Sequence, residues 1–479
     1  MTREREFYID GAWTGPVEPR LQEVIDPSSE EPFTQVAMGS AADVELAVAA
    51  AARAFETFSR TSREDRLALL ERIHGAYLRR ADEMAAALPT EMGATPDVAK
   101  AQVSAGAAHI AKTIEVLRSF GFDEEIEGAR VVRQPIGVCA LISPWNNPVS
   151  QVVTKAIPAI AAGCTTVSKP SELAPVAVSI LAEVMHEAGT PAGVFNLLHG
   201  EGAVVGAALS AHPRVDMVSI TGSAAAGVAV ARAAADTIKR VQQELGGKGP
   251  NIILPDADLE LAVRRGVAAC FFFSGQTCGA PSRMIVPEAR YREAVAFARD
   301  AAERIKVGPP RDAGVDFGPL ISQAQFDKVQ ALIATAGREG AELVAGGPGR
   351  PSGLTRGFYC RPTVFGGVTP SMTIAREEVF GPVLSILTYR DVEEAIQIAN
   401  DSAYGLVGYV QCGDLEEGAR VGRRIRCGYV SLNHPPLNIA VPHGGYRRSG
   451  NGRQWGVHGL SEYLELTSLV LPTLPHGAP

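Results

Sequence analysis

Apolar residues recur at spacings of three and four through two long segments near the start of the chain, and the period then shortens. Ser40 is followed three residues later by Asp43, an acid in a first turn, so "DVELAVAAAARAFETFS" predicts a helix. Ser62 opens a second, "REDRLALLERIHGAYLRRADEMAAAL", with Leu67, Leu70, Ile73, Tyr77 and Met84 near one face and Pro89 and Gly93 punctuating its end. Short apolar runs then alternate with helical ones. "VCALIS" predicts a strand ending at "PWNNP", and "CTTVSK" a strand ending at "PSELAP". "VSILAEVMHEAG" predicts a helix closed by Gly189. "VDMVSI" predicts a strand running into Thr221-Gly222-Ser223 and then a helix over "AAAGVAVARAAADTIKR". This alternation is the pattern of a parallel sheet covered on both faces. Ligands of such sheets bind beyond the carboxyl ends of the strands, so the turns are where chemistry is sought.

A new strand–helix alternation begins near residue 245 with "NIILPDADLELAVRRG" and continues through "SRMIVP", "REAVAFARDAAERI", "PVLSILTY" and "DVEEAIQIAN". It implies a second α/β domain. The segment 123–138 and the tail "SEYLELTSLVLPTLP" read as extended. They could pair into a small sheet across a subunit interface, or the tail could pack on its own chain.

A chain of 479 residues is long enough for two or three cores. Its 46% apolar and 20% charged content is that of a soluble globular enzyme. The formal charge of −8 is spread along the chain and argues against a nucleic-acid partner, which needs a basic stripe. Arg423-Arg424-Ile425-Arg426 and Arg447-Arg448 are short clusters suited to a solvated face or a phosphate contact. The seven cysteines are scattered, with no CxxC pair and no Cys/His ligand spacing, so neither a disulfide framework nor a metal site is expected. That usage suits a reducing compartment. The start "MTREREFYIDGAW" has no apolar signal core, and no apolar run approaches the roughly 20 residues of a membrane span. A cytoplasmic protein with no membrane partner is the expectation.

Candidate chemistry sits in the turns. In "FFFSGQTC", Cys270 lies in an apolar run, as a structural cysteine does, whereas Cys278 lies among Gly, Gln and Thr. Cys278 could be a nucleophile at the bottom of a pocket, or simply a buried small residue. Asn146 in "SPWNNP" carries an amide that could donate to an oxygen, or form a turn. Lys169 and Glu172 could reach a phosphate and a ribose hydroxyl, or be surface charges. "GSAAAG", Gly222 to Gly227, stands at a strand-to-helix junction that could cradle an anion, yet its small residues also suit close helix–sheet packing. Glu244 before Gly246-Gly247 could be a general base or a solvated acid. Glu378 and Phe380 in "EEVFGPV" could hold a ribose and a flat ring, or be a helix-end acid and a core Phe. "HGGYRRSGNGRQWG" reads as a long ordered loop of uncertain function.

In this order and at these spacings, "PWNNP", "SKPSE", "TGSAAAG", "ELGGKGPNII", "FFFSGQTC", "EEVFGPV", "NDSAYGL" and "HGGYRRSGNGRQWG" resemble the NAD(P)-dependent aldehyde dehydrogenase superfamily along nearly the whole chain. "GQTCGAPSRMIVP", "NHPPLNIAVPHGGYRRSGNGRQWG" and "EYLELTSLV" look like a bacterial branch that includes medium-chain oxo-acid and semialdehyde dehydrogenases. The resemblance implies an α/β aldehyde dehydrogenase fold. A Rossmann-like NAD-binding domain would span 1–118 and 137–244, a catalytic domain 245–446, and a small β oligomerisation arm 119–136 and 458–479.

It implies that Cys278 attacks the aldehyde, that Asn146 and the Cys278 backbone N–H stabilise the oxyanion, and that Glu244 activates the water that hydrolyses the thioester. It places Ser143, Trp145, Lys169, Glu172, Gly222, Ser223, Gly227, Leu245, Glu378 and Phe380 at the cofactor. Asn147, Gln151, Phe272, Thr277 and His443 would line the substrate tunnel, with Trp145 and Phe271 adding apolar wall. Glu172 would repel a 2′-phosphate, so NAD is expected over NADP. Many relatives carry an aromatic at Asn147 and Phe at His443. The departures make the tunnel more polar and suggest an aldehyde with an apolar stretch and a second polar group, such as an ω-oxo acid or a functionalised aromatic aldehyde. A homodimer or homotetramer is implied. The alternatives are a CoA-acylating relative, against which Glu244 argues, and a non-catalytic cofactor-binding relative.

Overall fold

Ser62 and Asp65 form a reciprocal cap: the serine hydroxyl accepts from the Asp65 backbone N–H at 3.0 Å, and the carboxylate accepts from the Ser62 N–H at 3.1 Å. They start the helix Arg63–Met92. Pro89 lies inside that helix, which ends instead at Gly93, in the left-handed conformation with φ 70°. The computed structural model describes residues 3–470; residues 471–479, the last part of the expected extended tail and arm, lie outside the described residues.

The helix packs against Pro96–Ser119 and Val176–Glu187 and buries Leu70, Ile73, Tyr77 and Met84 completely. One predicted helix is shorter than its sequence suggests. "AAAGVAVARAAADTIKR" is α-helical only over Ala224–Ala234, because Arg240–Leu245 pairs as a strand with Met217–Gly222. Ile238, with φ 54°, makes the turn between them.

Eight strands form the first sheet, in spatial order Gly450–Asn451, Arg240–Leu245, Met217–Gly222, Val138–Ile142, Thr165–Lys169, Phe195–Leu197, Phe7–Ile9 and Ala12–Thr14. The five in the middle of that order are parallel, and the flanking ones are antiparallel. Register pairs Ile142 with Lys169 and Gly222 with Leu245, so four strand ends and the turns after them open on one edge. The second sheet has seven strands, in the order Glu342–Ala345, Thr363–Gly366, Val383–Tyr389, Arg283–Pro287, Pro250–Ile253, Val407–Gln411 and Tyr429–Leu432. All its pairings are parallel except the first. Buried Arg283 donates to the carbonyls of Lys248, Ile398 and Ala399 at 2.9–3.0 Å, which satisfies a charge the core could not otherwise hold.

The extended segments pair within the chain. Leu464–Val470 lies antiparallel to Ala129–Pro135, which lies antiparallel to Asp123–Ile126. Ile126, Leu466, Leu469 and Val470 stand exposed on this small sheet.

Candidate active site

The helix Leu259–Phe271, capped by Asp258, delivers the cysteine segment. It ends in a tight turn in which Phe273 and Ser274 both hold left-handed backbone, at φ 48° and 56°. The Ser274 hydroxyl donates to the Gly318 carbonyl at 2.9 Å, and Gln276 Oε1 accepts from the Ile321 N–H at 3.0 Å, which holds the turn in place. The reversal separates the three aromatics. Phe271 and Phe273 go into cores, while Phe272 is 46% exposed and faces a cavity. The expectation that Phe271 adds tunnel wall is therefore corrected: it packs with Val267, Cys270 and Met284. Trp145 likewise faces the other cavity, not the tunnel.

Cys278 lies where two cavities meet. The smaller, about 330 Å³, lies at the strand ends of the first sheet; the larger, about 750 Å³, is lined by Phe272, Thr277, Tyr429 and His443 among others. Asn146, Gln151, Glu244 and Cys278 line both. Burial pushes the Cys278 thiol up to about 12, the Glu244 and Glu378 carboxylates add to that, and nearby backbone N–H groups oppose it. The resting side chain is a protonated thiol well above the ~8.5 of a free cysteine.

Asn146 is fixed beside it. Its amide donates to the Gln276 carbonyl at 2.9 Å and keeps a second N–H, while its own backbone carbonyl accepts from Gln102 at 3.0 Å. The next residue, Asn147, begins the helix Pro148–Ala162. Asn147, Gln151 and Lys155 follow at steps of four, so they share a face. Lys155 Nζ donates to Thr221 Oγ1 at 2.6 Å, and that hydroxyl donates to Gln151 at 3.2 Å. Burial lowers the Lys155 ammonium to about 7, against the pull of Glu244 and Cys278. Lys155 is absent from the sequence-based site. Gln151 and Lys155, four apart and the only long polar side chains in a helix otherwise of apolar and small hydroxyl residues, are the signal that could have found it.

Glu244 stands near the end of the strand Arg240–Leu245, opposite Gly450 of the edge strand. Gly450 has φ 107°, and a Cβ there would overlap the Gln243 carbonyl. Ser449 Oγ donates to the Gly246 carbonyl at 2.7 Å. The loop "HGGYRRSGNGRQWG" thus braces the strand and turn that carry Glu244. It also supplies His443, whose Nδ1 lies 3.4 Å from Glu244 Oε1.

The smaller cavity is lined by Ser143, Trp145, Lys169, Glu172, Gly222 and Ser223, and also by Leu245, Glu378 and Phe380. Lys169 Nζ pairs with Glu172 at 3.0 Å. Ser223 caps the helix Ala224–Ala234 by accepting from the Ala226 N–H at 3.1 Å. Gly227 does not reach this cavity; it lies one turn inside, where a Cβ would stand 2.6 Å from Leu245. Glu378 accepts from the Gly247 N–H at 3.0 Å, and a Cβ on Gly246 would overlap its carboxylate. Burial raises the Glu378 carboxyl. Phe380 meets Trp145 edge-on, with ring centres 5.4 Å apart. Ser143 Oγ is buried without a partner, an orphan hydroxyl at the mouth of a cradle with two aromatic rings, a helix start and an acid–base pair. That set fits a dinucleotide. Gln325 and Lys328 line the same cavity and were not foreseen.

The larger cavity is lined by all five expected residues, Asn147, Gln151, Phe272, Thr277 and His443. Gln102, Tyr409, Tyr429, His434, Leu437 and Trp455 join them unforeseen. No Arg or Lys is among its lining residues. Among the described residues, no group of three His, Cys, Asp or Glu could hold a metal ion, and no helix is long and apolar enough to cross a membrane.

The model of the aldehyde dehydrogenase family matches residues 13–469. A Pseudomonas 3-succinoylsemialdehyde-pyridine dehydrogenase is 50% identical over 98% of this chain and 99% of its own length. A solved mutant of aldehyde dehydrogenase C from Pseudomonas syringae, in complex with NAD+ and octanal, is 51% identical with a TM-score of 0.97, covering 98% of this chain and 97% of that one. A Staphylococcus aureus betaine aldehyde dehydrogenase solved with NAD+ is 35% identical with a TM-score of 0.95, over 98% and 96% of the two chains.

Proposed function

This chain belongs to the aldehyde dehydrogenase family, whose members oxidise aldehydes, and on that premise we propose that Cys278 is its nucleophile, Asn146 its oxyanion donor and Glu244 the base that hydrolyses the thioester. The observation that carries the reading is the junction of the two cavities. These three residues stand where a cofactor entering from one side and an aldehyde entering from the other would meet.

The chemistry follows from the groups present. Cys278 starts as a thiol, so attack on the carbonyl needs a proton acceptor at the junction, either Glu244 or a water that relays the proton to solvent. The Sγ–C bond forms as the carbonyl π electrons move to oxygen, where the free N–H of Asn146 and the Cys278 backbone N–H receive the charge. A nicotinamide held in the smaller cavity beside Glu378 and Phe380 would supply the acceptor for the hydride that leaves as the oxyanion collapses to the thioester. Once any proton taken from the thiol has passed to solvent, Glu244 takes a proton from water as the water oxygen bonds to the acyl carbon. The C–S bond breaks and the sulfur leaves as thiolate, so the product is a carboxylic acid.

NAD is the proposed cofactor in preference to NADP. The support is Glu172, held by Lys169 at the rim of the smaller cavity, where a 2′-phosphate would meet a carboxylate. Comparable kcat/KM with the two cofactors would defeat this. The proposed substrate has an apolar stretch and a second polar group. Phe272 and Leu437 supply apolar wall, while Asn147, Gln102 and His434 supply polar points. The absence of Arg and Lys from the lining favours a neutral polar group or heteroaromatic ring over a carboxylate. The pyridine-bearing semialdehyde in the name of one relative is of that kind.

The division into a cofactor domain (1–118 and 137–244), a catalytic domain (245–446) and an arm belongs to the same proposal. Its support is that the first sheet draws all but its edge strand from residues up to 245 and the second sheet lies wholly between 250 and 432. Exposed Ile126, Leu466, Leu469 and Val470 on the small sheet support a homo-oligomer built through it. Seven free cysteines support a reducing, cytoplasmic setting.

The test is NADH formation at 340 nm with a panel of alkanals, aromatic aldehydes and ω-oxo acids, with and without CoA. The reading expects a CoA-independent signal that Cys278→Ala abolishes. A signal that needs CoA, or one that survives Cys278→Ala, would refute it.

A further inference from the structure

Glu244 Oε1 is buried and has no hydrogen-bond partner, an unusual state for a carboxylate in a core. The polar group facing it is the imidazole of His443, with Nδ1 at 3.4 Å. That distance is a few tenths of an ångström beyond an ordinary N–H···O bond, as catalytic contacts often are before substrate closes the site. The imidazole is rigidly presented. Its ring stacks on Trp455 with centres 4.2 Å apart and planes at 28°. Its backbone exchanges two hydrogen bonds with Gln454, at 2.9 and 2.7 Å. Trp455 is backed by His109 at 5.3 Å, and Tyr429 stands at 6.1 Å on the tunnel side. One segment therefore supports both partners, pairing Gly450 against Glu244 and carrying His443 to its carboxylate.

We propose that His443 is the positioning residue of the hydrolytic step: its Nδ1–H holds one carboxylate oxygen of Glu244 so that the other faces the thioester carbon and the attacking water. The inference rests on Glu244 being the water-activating base. The arrangement uses the Nδ1–H tautomer, which the carboxylate itself selects. During hydrolysis the carboxylate accepts the proton from water, and the imidazole keeps it from rotating toward Cys278. The other ionisable groups around the pair are Lys155, Cys278, His109 and Tyr429.

The experiment follows the acyl-enzyme directly. p-Nitrophenyl acetate acetylates Cys278, with an Sγ–acyl bond formed and p-nitrophenolate released. Excess ester is removed, and intact mass then reports how fast the acetyl group is hydrolysed, without aldehyde or hydride transfer. His443→Phe keeps a ring to stack on Trp455 but has no N–H, and should slow hydrolysis about tenfold or more. His443→Asn puts an amide N–H near the Nδ1 position and should recover most of the rate. Wild-type hydrolysis in His443→Phe, with only the KM for aldehyde altered, would make the residue tunnel wall and overturn the proposal. Equal slowing by both variants would overturn it too, since the N–H would then not matter. Glu244→Gln is run alongside: if it hydrolyses at the wild-type rate, the reading of Glu244 itself fails.

Discussion

At the residue scale, the reactivity of the junction is set by Cys278 lying close to two carboxylates, Glu244 and Glu378. Cys278 is pushed up by desolvation and by two carboxylates, so its thiolate is scarce at neutral pH. Alkylation by iodoacetamide should be far slower than for a free thiol at pH 7 and should keep rising with pH past 9. A plateau reached near pH 8 would contradict the structure. Glu244→Gln removes one of the charges that raise the thiol, so it should speed alkylation at a fixed pH while slowing aldehyde turnover. This opposite response separates the electrostatic effect of Glu244 from its proposed work as a base, and alkylation slowed by the substitution would contradict it.

At the element scale, function depends on where strands end and on what braces them. The turns after Ile142, Lys169, Gly222 and Leu245 share one edge because their strands are in parallel register. Gly450 is the weak point of the brace. With φ 107° and the Gln243 carbonyl where a Cβ would stand, Gly450→Ala should destabilise the protein by about 2 kcal/mol, seen as a lower Tm, and should lower kcat through Glu244. An unchanged Tm and kcat would show that the edge strand is dispensable. Much of this level is legible in the sequence. Strand-then-turn patterns locate "SPWNN", "SKPSE" and "TGSAAAG" at the sheet edge, because side-chain period and turn residues are local properties. Less legible are contacts between elements far apart in the chain. The pairing of His443 with Glu244 spans 199 residues, and nothing local marks the loop "HGGYRRSGNGRQWG" as a brace. Phe271 and Phe272 are adjacent aromatics, and only the left-handed turn at Phe273 and Ser274 decides which lines the tunnel. The "AAAGVAVARAAADTIKR" helix was overextended for a related reason. Its periodicity is real to Ala234, but tertiary pairing claims Arg240–Leu245 for the sheet.

At the scale of the whole molecule, two sheets close on a junction between two cavities, and the small third sheet stands apart with apolar residues exposed. Leu466 and Val470 are 67% and 81% exposed on it, more than a lone chain is expected to tolerate on a contiguous face. Leu466→Glu combined with Val470→Glu should shift the molecular mass by light scattering from an oligomer toward the monomer. An unchanged mass would place any assembly elsewhere.

On the proposed assignment, aldehyde oxidation on Cys278 and hydrolysis by Glu244 are separate steps at one junction. Rapid mixing of Glu244→Gln with NAD+ and a good aldehyde, read at 340 nm, tests it most directly. The account predicts a burst approaching one NADH per site, followed by a steady rate about 10²-fold or more below wild type. Wild-type turnover in that variant would contradict the assignment.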